Sequence, residues 1–487
     1  MPDDGEDVST PPAAWPGPTG PSQPWVPQQR APYPGEYLPP APVELYQMPP
    51  VVLVPGAQPL PLPPAPRRRR RGLLIAGLLA LVAALVTAGG VLFVAGQQPL
   101  PTLAEAAPPR KLTPLEGASA SLDEQAEALL AGDEQAWLAA VDPEQEKLRA
   151  RYGAMFRSLR SLGVARFDYD LVTDNTGDDT ATRITARARI YYCLRDNACD
   201  DPDVGPMTVH KVRLEPVGGR WVLTSSSTER TDDTFQPAPW DAGGLVFSQG
   251  ERVTLAALPG QKKHFAEVQP IAEAAAKVND RFAALVGNPQ QRYRIYLAGT
   301  KEWKSWFGGI DDKWVVGYAV PLGESGMDVV LNMDELRRHR RLLETTVQHE
   351  LAHVVTIGTL HRKEWGQGDM WLKEGIAEYI GWYPQPATSS WRRTSVREIV
   401  RGDDAPTTIA AGAMSSDARE EEGDAFYGFG HFAADCLAKK YGQKALFTFV
   451  RLYLREEKDL EPASQEAFGR PFSTVDKTCV AWIRDNA

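Results

Sequence analysis

Cysteine is scarce in this chain of 487 residues: there are four, Cys193, Cys199, Cys436 and Cys479, and no two form a CxxC. That spacing leaves structural zinc ribbons and thioredoxin-type redox chemistry unsupported. A basic excess is also missing. Asp and Glu number 63 against 53 Lys and Arg, a formal charge of -10. The positive footprint that phosphate contact requires is therefore absent, and no nucleic-acid partner is expected. No internal repeat is visible. Residues 1–66 have few aliphatic side chains before the VVLV at 51–54 and hold 21 of the 41 prolines. Such a segment has too little apolar surface to offset chain entropy, so a disordered Pro-rich tail is expected, with PLPLPPAP as a candidate docking motif for a cytoplasmic SH3-like or WW-like partner.

Directly after the tail the composition reverses. Arg67 to Arg71 are five consecutive arginines, and residues 72–96 carry no charge. As a helix that run is about 37 Å long at 1.5 Å per residue, against a bilayer core of roughly 30 Å. A cleaved signal peptide has a shorter leader and a shorter apolar core, so 67–96 reads as a basic stop and one transmembrane helix. The arginines place the N-terminus in the cytoplasm and the C-terminal domains outside, a single-pass protein of the cell membrane. They could also hold anionic lipid. All four cysteines come after this anchor, and in an oxidising compartment Cys193 with Cys199 and Cys436 with Cys479 is the simplest of three pairings. The tail's composition is similar to tails of actinobacterial membrane proteins.

Beyond a linker at 97–116, an α+β pattern covers 117–232. Helical spacing places Leu129, Leu130, Trp137, Leu138, Tyr152, Met155, Phe156 and Leu159 on one side, and four alternating segments, from RFDYDLV to RWVLTSS, read as an antiparallel meander. The pattern resembles the NTF2-like (SnoaL-like) cone fold, which hosts both enzymes and passive binding modules. His210, the one histidine here, reads as an exposed strand residue. From about 236 to 487 a second unit begins with the amphipathic helix HFAEVQPIAEAAAKVNDRFAALVG. The strands RYRIYLAG, WVVGYAV and MDVVLNM come next, then a long helix starting near Met333 with Asp334 as a plausible N-cap.

That helix contains HELAH, residues 349–353. His349 and His353 are four apart, about 40° in helical projection, so both imidazoles can face one ion, with Glu350 beside them. Neutral imidazoles suit Zn²⁺, an open position leaves room for water, and the carboxylate takes its proton. His361 misses the spacing of a metzincin third ligand. Glu374, in MWLKEGIAEYIGWY, is the better candidate, and Glu378 shares its helix face.

HELAH followed by WLKEGIAEY resembles the gluzincin peptidases, in particular the aminopeptidase-N and leukotriene-hydrolase branch and its compact peptidase MA-like relatives. The resemblance implies a domain with a small mixed sheet and a mainly helical active-site half. It implies Zn²⁺ held by His349, His353 and Glu374, Glu350 as general base, and Glu378 as the carboxylate that steadies a ligand histidine. YGFGHFAADCLAKKYG at 427–442 resembles the YxxG helix of the same branch, which gives Tyr427 the role of oxyanion donor. Tyr379, Tyr383 and His431 are alternative donors. Two features depart from the family: the interval between His353 and Glu374 is slightly long, and no GxMEN-type segment precedes HELAH, so the acid that anchors a substrate amine is missing. An endopeptidase is therefore expected rather than an aminopeptidase, taking a peptide or protein substrate, with the strand around DVVLN open to pairing with an extended chain. The alternative is a catalytically inactive extracellular binding or scaffold module that retains the peptidase fold.

Overall fold

The computed structural model describes residues 28–30, and 112–487 except 174–181, 198, 200–204, 230–236, 310–314, 324, 359–368, 413 and 415–417. The described residues belong to one compact unit. The PLPLPPAP motif, the arginine run and His361 thus lie outside the described residues. So does the transmembrane helix expected over 72–96.

Among the described residues no helix is long and apolar enough to cross a membrane. The two longest, Phe265–Val286 and Glu420–Tyr441, have 22 residues each and are interrupted by charged side chains, as expected of helices with one face in a protein core. The membrane anchor, the membrane as a partner, and the cytoplasmic and extracellular topology read from the sequence are accordingly withdrawn.

The first part of the described chain is an α+β layer. Helix α1 (Pro114–Ala131) opens with a capping box, in which Thr113 Oγ1 accepts from the Glu116 N–H and the Glu116 carboxylate accepts from the Thr113 N–H, satisfying two donors that a helix start leaves free. Helices α2 (Glu134–Ala139) and α3 (Glu146–Ser161) come next. Of the apolar positions read from the sequence, Leu129, Trp137, Tyr152, Met155, Phe156 and Leu159 are buried; Leu130 is exposed and Leu138 half-buried. Apart from β1 (Gln28–Arg30), the strands start here: β2 (Val164–Val172), β3 (Ile184–Leu194), β4 (Met207–Val217) and β5 (Arg220–Thr228) form an antiparallel sheet in that order. A Cys193–Cys199 disulfide closes the end of β3.

His210 on β4 is fully buried, contrary to its reading as an exposed residue. Its Nε2 is 3.2 Å from Asp241 Oδ2, and its Nδ1 is 3.3 Å from Ser226 Oγ. Asp241 also binds Arg151 at 2.6 Å. Burial alone would raise the Asp241 pKa, but His210 and Arg151 hold it well below the usual carboxylate range. The neighbouring Trp240 ring packs on Tyr192 and Phe167. Alternation along β4 shows which face a residue occupies; it does not show that Asp241, from a segment after the meander, covers that face.

The second sheet is mixed, ordered β1-β9-β10-β8-β7-β6, with β6 (Val246–Gln249), β7 (Val253–Ala257), β8 (Tyr293–Ala298), β9 (Val315–Pro321) and β10 (Met327–Asn332). β8 runs parallel to β7 and β10, while β9 is antiparallel to β10. Tyr296, Tyr318 and Val330 join the core of the α+β layer, whereas Ile295, Ala319 and Val329 join a core with the helices of the second unit. Burial on both faces explains the near-continuous apolar runs of β8 to β10. β10 lies between β9 and β8, so the strand around DVVLN has no free edge for a substrate chain. β9 carries β1 on its outer side, pairing Gln28 with Tyr318 and Gln29 with Gly317, where a disordered tail was expected.

Helix α4 (Phe265–Val286) covers this sheet. A short helix, α5 (Thr300–Trp303), follows β8. The long helix expected from Met333 is broken: short helix α6 (Met333–Leu336) precedes the HELAH helix α7 (Arg340–Thr356). Asp334 caps nothing there; its carboxylate accepts from the Thr300 N–H and hydroxyl at 2.8 and 2.7 Å. The rest is helical: α8 (Met370–Gly381), α9 (Arg393–Arg401), α10 (Glu420–Tyr441), α11 (Gln443–Val450), α12 (Leu460–Phe468) and α13 (Phe472–Asn486). A Cys436–Cys479 disulfide joins α10 to α13.

Helices α8 and α10 meet backbone to backbone. A Cβ on Gly375 would stand 2.5 Å from the Gly430 carbonyl oxygen, and one on Gly430 would stand 2.9 Å from Gly375 Cα. Both glycines adjoin site residues, Gly375 next to Glu374 and Gly430 three after Tyr427. We expect Gly430→Ala to destabilise the chain by about 1–3 kcal/mol through overpacking. Urea unfolding measures this, and an unchanged midpoint would show that the crossing has slack.

Candidate metal centre

The apolar side of α7, with Leu343, Val347, Leu351, Val354 and Val355, packs against the sheet. That fixes the helix's rotation and turns His349 and His353 toward Glu374 and Glu378 of α8. Gln348 Nε2 donates to the Ile380 carbonyl at 2.6 Å and the Tyr383 carbonyl at 3.1 Å, and its own carbonyl accepts from Asn279 of α4. α7 is thereby tied to the end of α8. Gly317 of β9 lies behind Glu350, where a Cβ would stand 3.0 Å from Glu350 Cγ.

Three side chains converge. His349 Nε2 is 3.1 Å from His353 Nε2 and 3.3 Å from Glu374 Oε2, and His353 Nε2 is 3.6 Å from the same oxygen. Their ligand atoms lie within 4.8 Å of one another, and all three residues are buried. No other such cluster occurs among the described residues. On its far side His349 Nδ1 meets Glu378 Oε1 at 3.2 Å, an arrangement that fixes the ring and leaves Nε2 to face the cluster.

Glu350 is fully buried beside the two histidines, and neither carboxylate oxygen has a hydrogen-bond partner among the described residues. Leaving such a group bare in a protein interior is costly unless something occupies the space it faces. Burial pushes the Glu350 carboxyl well above its ordinary range; Glu374 and Glu378 add to this and His349 opposes it. His349 behaves in the opposite sense: burial lowers its pKa, but Glu374, Glu378 and Glu350 outweigh that and raise it to about 10. Burial dominates at His353 and lowers its pKa. Glu374 is held below its usual value, because His353 and His349 overcome the burial that would raise it. Two imidazoles and a carboxylate oxygen converging in a field that demands a cation fit a zinc ion.

Glu378 is also gripped from outside. Arg392 Nη1 meets Glu378 Oε2 at 3.1 Å, and Arg392 Nε lies 3.2 Å from Asp424 Oδ1 on α10. Burial raises the Glu378 pKa, yet Arg392 and His349 bring it down to about 2. Tyr427, buried on α10, has its ring centre 6.3 Å from that of His349.

The other candidate donors are placed differently. Tyr379 and Tyr383 pack edge-on to Phe282, and their hydroxyls accept from Gln443 and Arg281. His431 is fully buried with neither ring nitrogen hydrogen-bonded among the described residues, and burial lowers its pKa to about 4. Arg392 and Asp424 were not foreseen. The segment SSWRRTS carries no spacing signal, because the contact is made across three helices.

No family model matches the chain, and no curated protein matches it. Among solved structures, an NTF-2-like protein of unknown function from Shewanella oneidensis MR-1 is 18% identical over 24% of this chain and 98% of its own, with a TM-score of 0.18. An M1 zinc metallopeptidase from Deinococcus radiodurans is 17% identical with a TM-score of 0.29. A two-domain M1 zinc metallopeptidase bound to L-arginine is 16% identical with a TM-score of 0.30. The chain spans 59% of the length of each of these peptidases, using 56% of its own. The likeness is distant and carries no argument about this chain, and it lends nothing to a membrane-anchored actinobacterial type. What the site can do rests on its own side chains.

The charge balance gives a test. Below about pH 10 the His349 proton competes with a metal ion for the ring, so metal affinity rises with pH. Competition titration of zinc between about pH 7 and about pH 9 should show affinity increasing about tenfold per unit. A flat profile would mean that zinc binding displaces no proton from His349.

Proposed function

We propose that this chain is a zinc-dependent peptidase. The observation that carries the reading is the convergence of His349 Nε2, His353 Nε2 and Glu374 Oε2, with the unpartnered Glu350 carboxylate beside them. His349, His353 and Glu374 would hold the zinc. When bound, the ion supplies Lewis-acid polarisation of a carbonyl and makes water nucleophilic near neutral pH.

The protein's own groups do the rest. Glu350 accepts the proton from the attacking water and passes it to the leaving amine. Near a cation its raised pKa returns toward the range where it is a base at neutral pH. Glu378 lies 3.2 Å from His349 Nδ1 and would favour the proton on that nitrogen, leaving Nε2 free for the zinc. Tyr427 donates its phenol hydrogen to the developing oxyanion. Nothing resembling the amine-anchoring acid of aminopeptidases precedes HELAH, which favours internal cleavage of an extended chain.

Glu350→Gln keeps the shape of the side chain and removes the base. It should retain zinc and lose about 10²–10⁴-fold in turnover of internally quenched peptides. Hydrolysis at the original rate would sink this mechanism. Turnover of aminoacyl arylamides in preference to the blocked peptides would overturn the endopeptidase assignment.

A further inference from the structure

Arg392 is a large cation with no exposed surface, and its contacts lead to both sides of the candidate metal centre. Its Nη1 meets Glu378 Oε2 at 3.1 Å, and the other oxygen of Glu378 lies 3.2 Å from His349 Nδ1. Its Nε faces Asp424 at 3.2 Å, three residues before Tyr427 on α10. The guanidinium carbon also lies 5.4 Å from the centre of the Tyr427 ring, within cation–π range. A Cβ on Gly428 would stand 2.9 Å from Arg392 Cβ, so glycine after Tyr427 is what lets the arginine backbone approach α10.

We propose that Arg392 is the positioning residue of the centre, fixing the His349–Glu378 pair and the Tyr427 ring relative to one another. This rests on the peptidase reading for the role of Tyr427, but its effect on metal binding does not. A planar guanidinium can satisfy two carboxylates and face a ring at once, whereas an ammonium is a single point of charge. Carboxylates that orient a ligand histidine typically contribute about 10–100-fold in metal affinity. Arg392 acts on the ion through Glu378, so its effect depends on that residue.

The test uses the full chain and Zn²⁺ alone, with affinity read by chelator competition at fixed pH. Arg392→Gln should weaken zinc about 10–100-fold. The double variant with Glu378→Gln should be no weaker than Glu378→Gln by itself, because the two changes break one path. A merely structural arginine would lower affinity additively, or leave it unchanged while lowering stability, and either result overturns the inference. Should Arg392→Gln fail to fold, Arg392→Lys keeps the charge and loses the fork; it is expected to weaken zinc in the same direction, and wild-type affinity in that variant overturns the inference too. In the zinc-loaded enzyme, Arg392→Lys should lower kcat with KM unchanged through the displaced Tyr427. If the wild-type chain binds zinc and cleaves no peptide, the peptidase reading fails while the affinity measurements still decide the metal-positioning role.

Discussion

Three carboxylates, Glu350, Glu374 and Glu378, are buried around one imidazole, and the fold has to supply them with positive charge. Water cannot do it, since all three are at most 1% exposed. Arg392 neutralises Glu378 by direct contact and the two histidines face Glu374, which leaves Glu350 with no cation against it among the described residues. Removing one partner from a buried ion pair costs about 3–5 kcal/mol, because the charge left behind cannot be solvated. The cluster is therefore an unfavourable place for a protein to be without a cation. That requirement connects the directions of the pKa shifts at His349 and Glu350 to the metal chemistry.

Meeting it requires three helices to approach one point. Helix α7 is aimed by its apolar contact with the sheet and held by Gln348. Helix α8 brings Glu374 and Glu378 one turn apart. Helix α10 comes close enough to present Tyr427 because Gly375 and Gly430 let two backbones touch. The α+β layer shares a core with the front of the second sheet, so the strands beneath α7 are supported on both faces. Its own buried pair, His210 with Asp241, joined by the half-buried Arg151, fastens the segment after the meander.

Much of this was legible in the sequence. HELAH, with Glu374 twenty-one positions after His353, names the residues that meet, because ligand chemistry restricts both residue type and spacing. The paired cysteines were legible because only three pairings exist for four residues. The strands at 293–298, 315–321 and 327–332 were visible as apolar runs. Other features depend on contacts between distant segments and leave no local trace. Arg392 is an ordinary basic residue until Glu378 and Asp424 close on it, and His210 reads as a strand residue until Asp241 covers it. The start of α7 was misplaced because Asp334 has the chemistry of a cap but is drawn to Thr300. The anchor rested on the length of the uncharged run at 72–96 and the five arginines before it, residues that the structure does not describe, and no described helix supports it.

The claim on which all of this depends is that the buried cluster holds zinc. Elemental mass spectrometry of the purified full chain, after dialysis against metal-free buffer, measures it directly. The account predicts about one zinc per chain, as expected when three protein ligands bind the ion and leave a fourth position open for water. A folded chain that has been supplied with zinc and retains none would contradict it, and the three carboxylates would then have to be neutralised by protons and Arg392 alone.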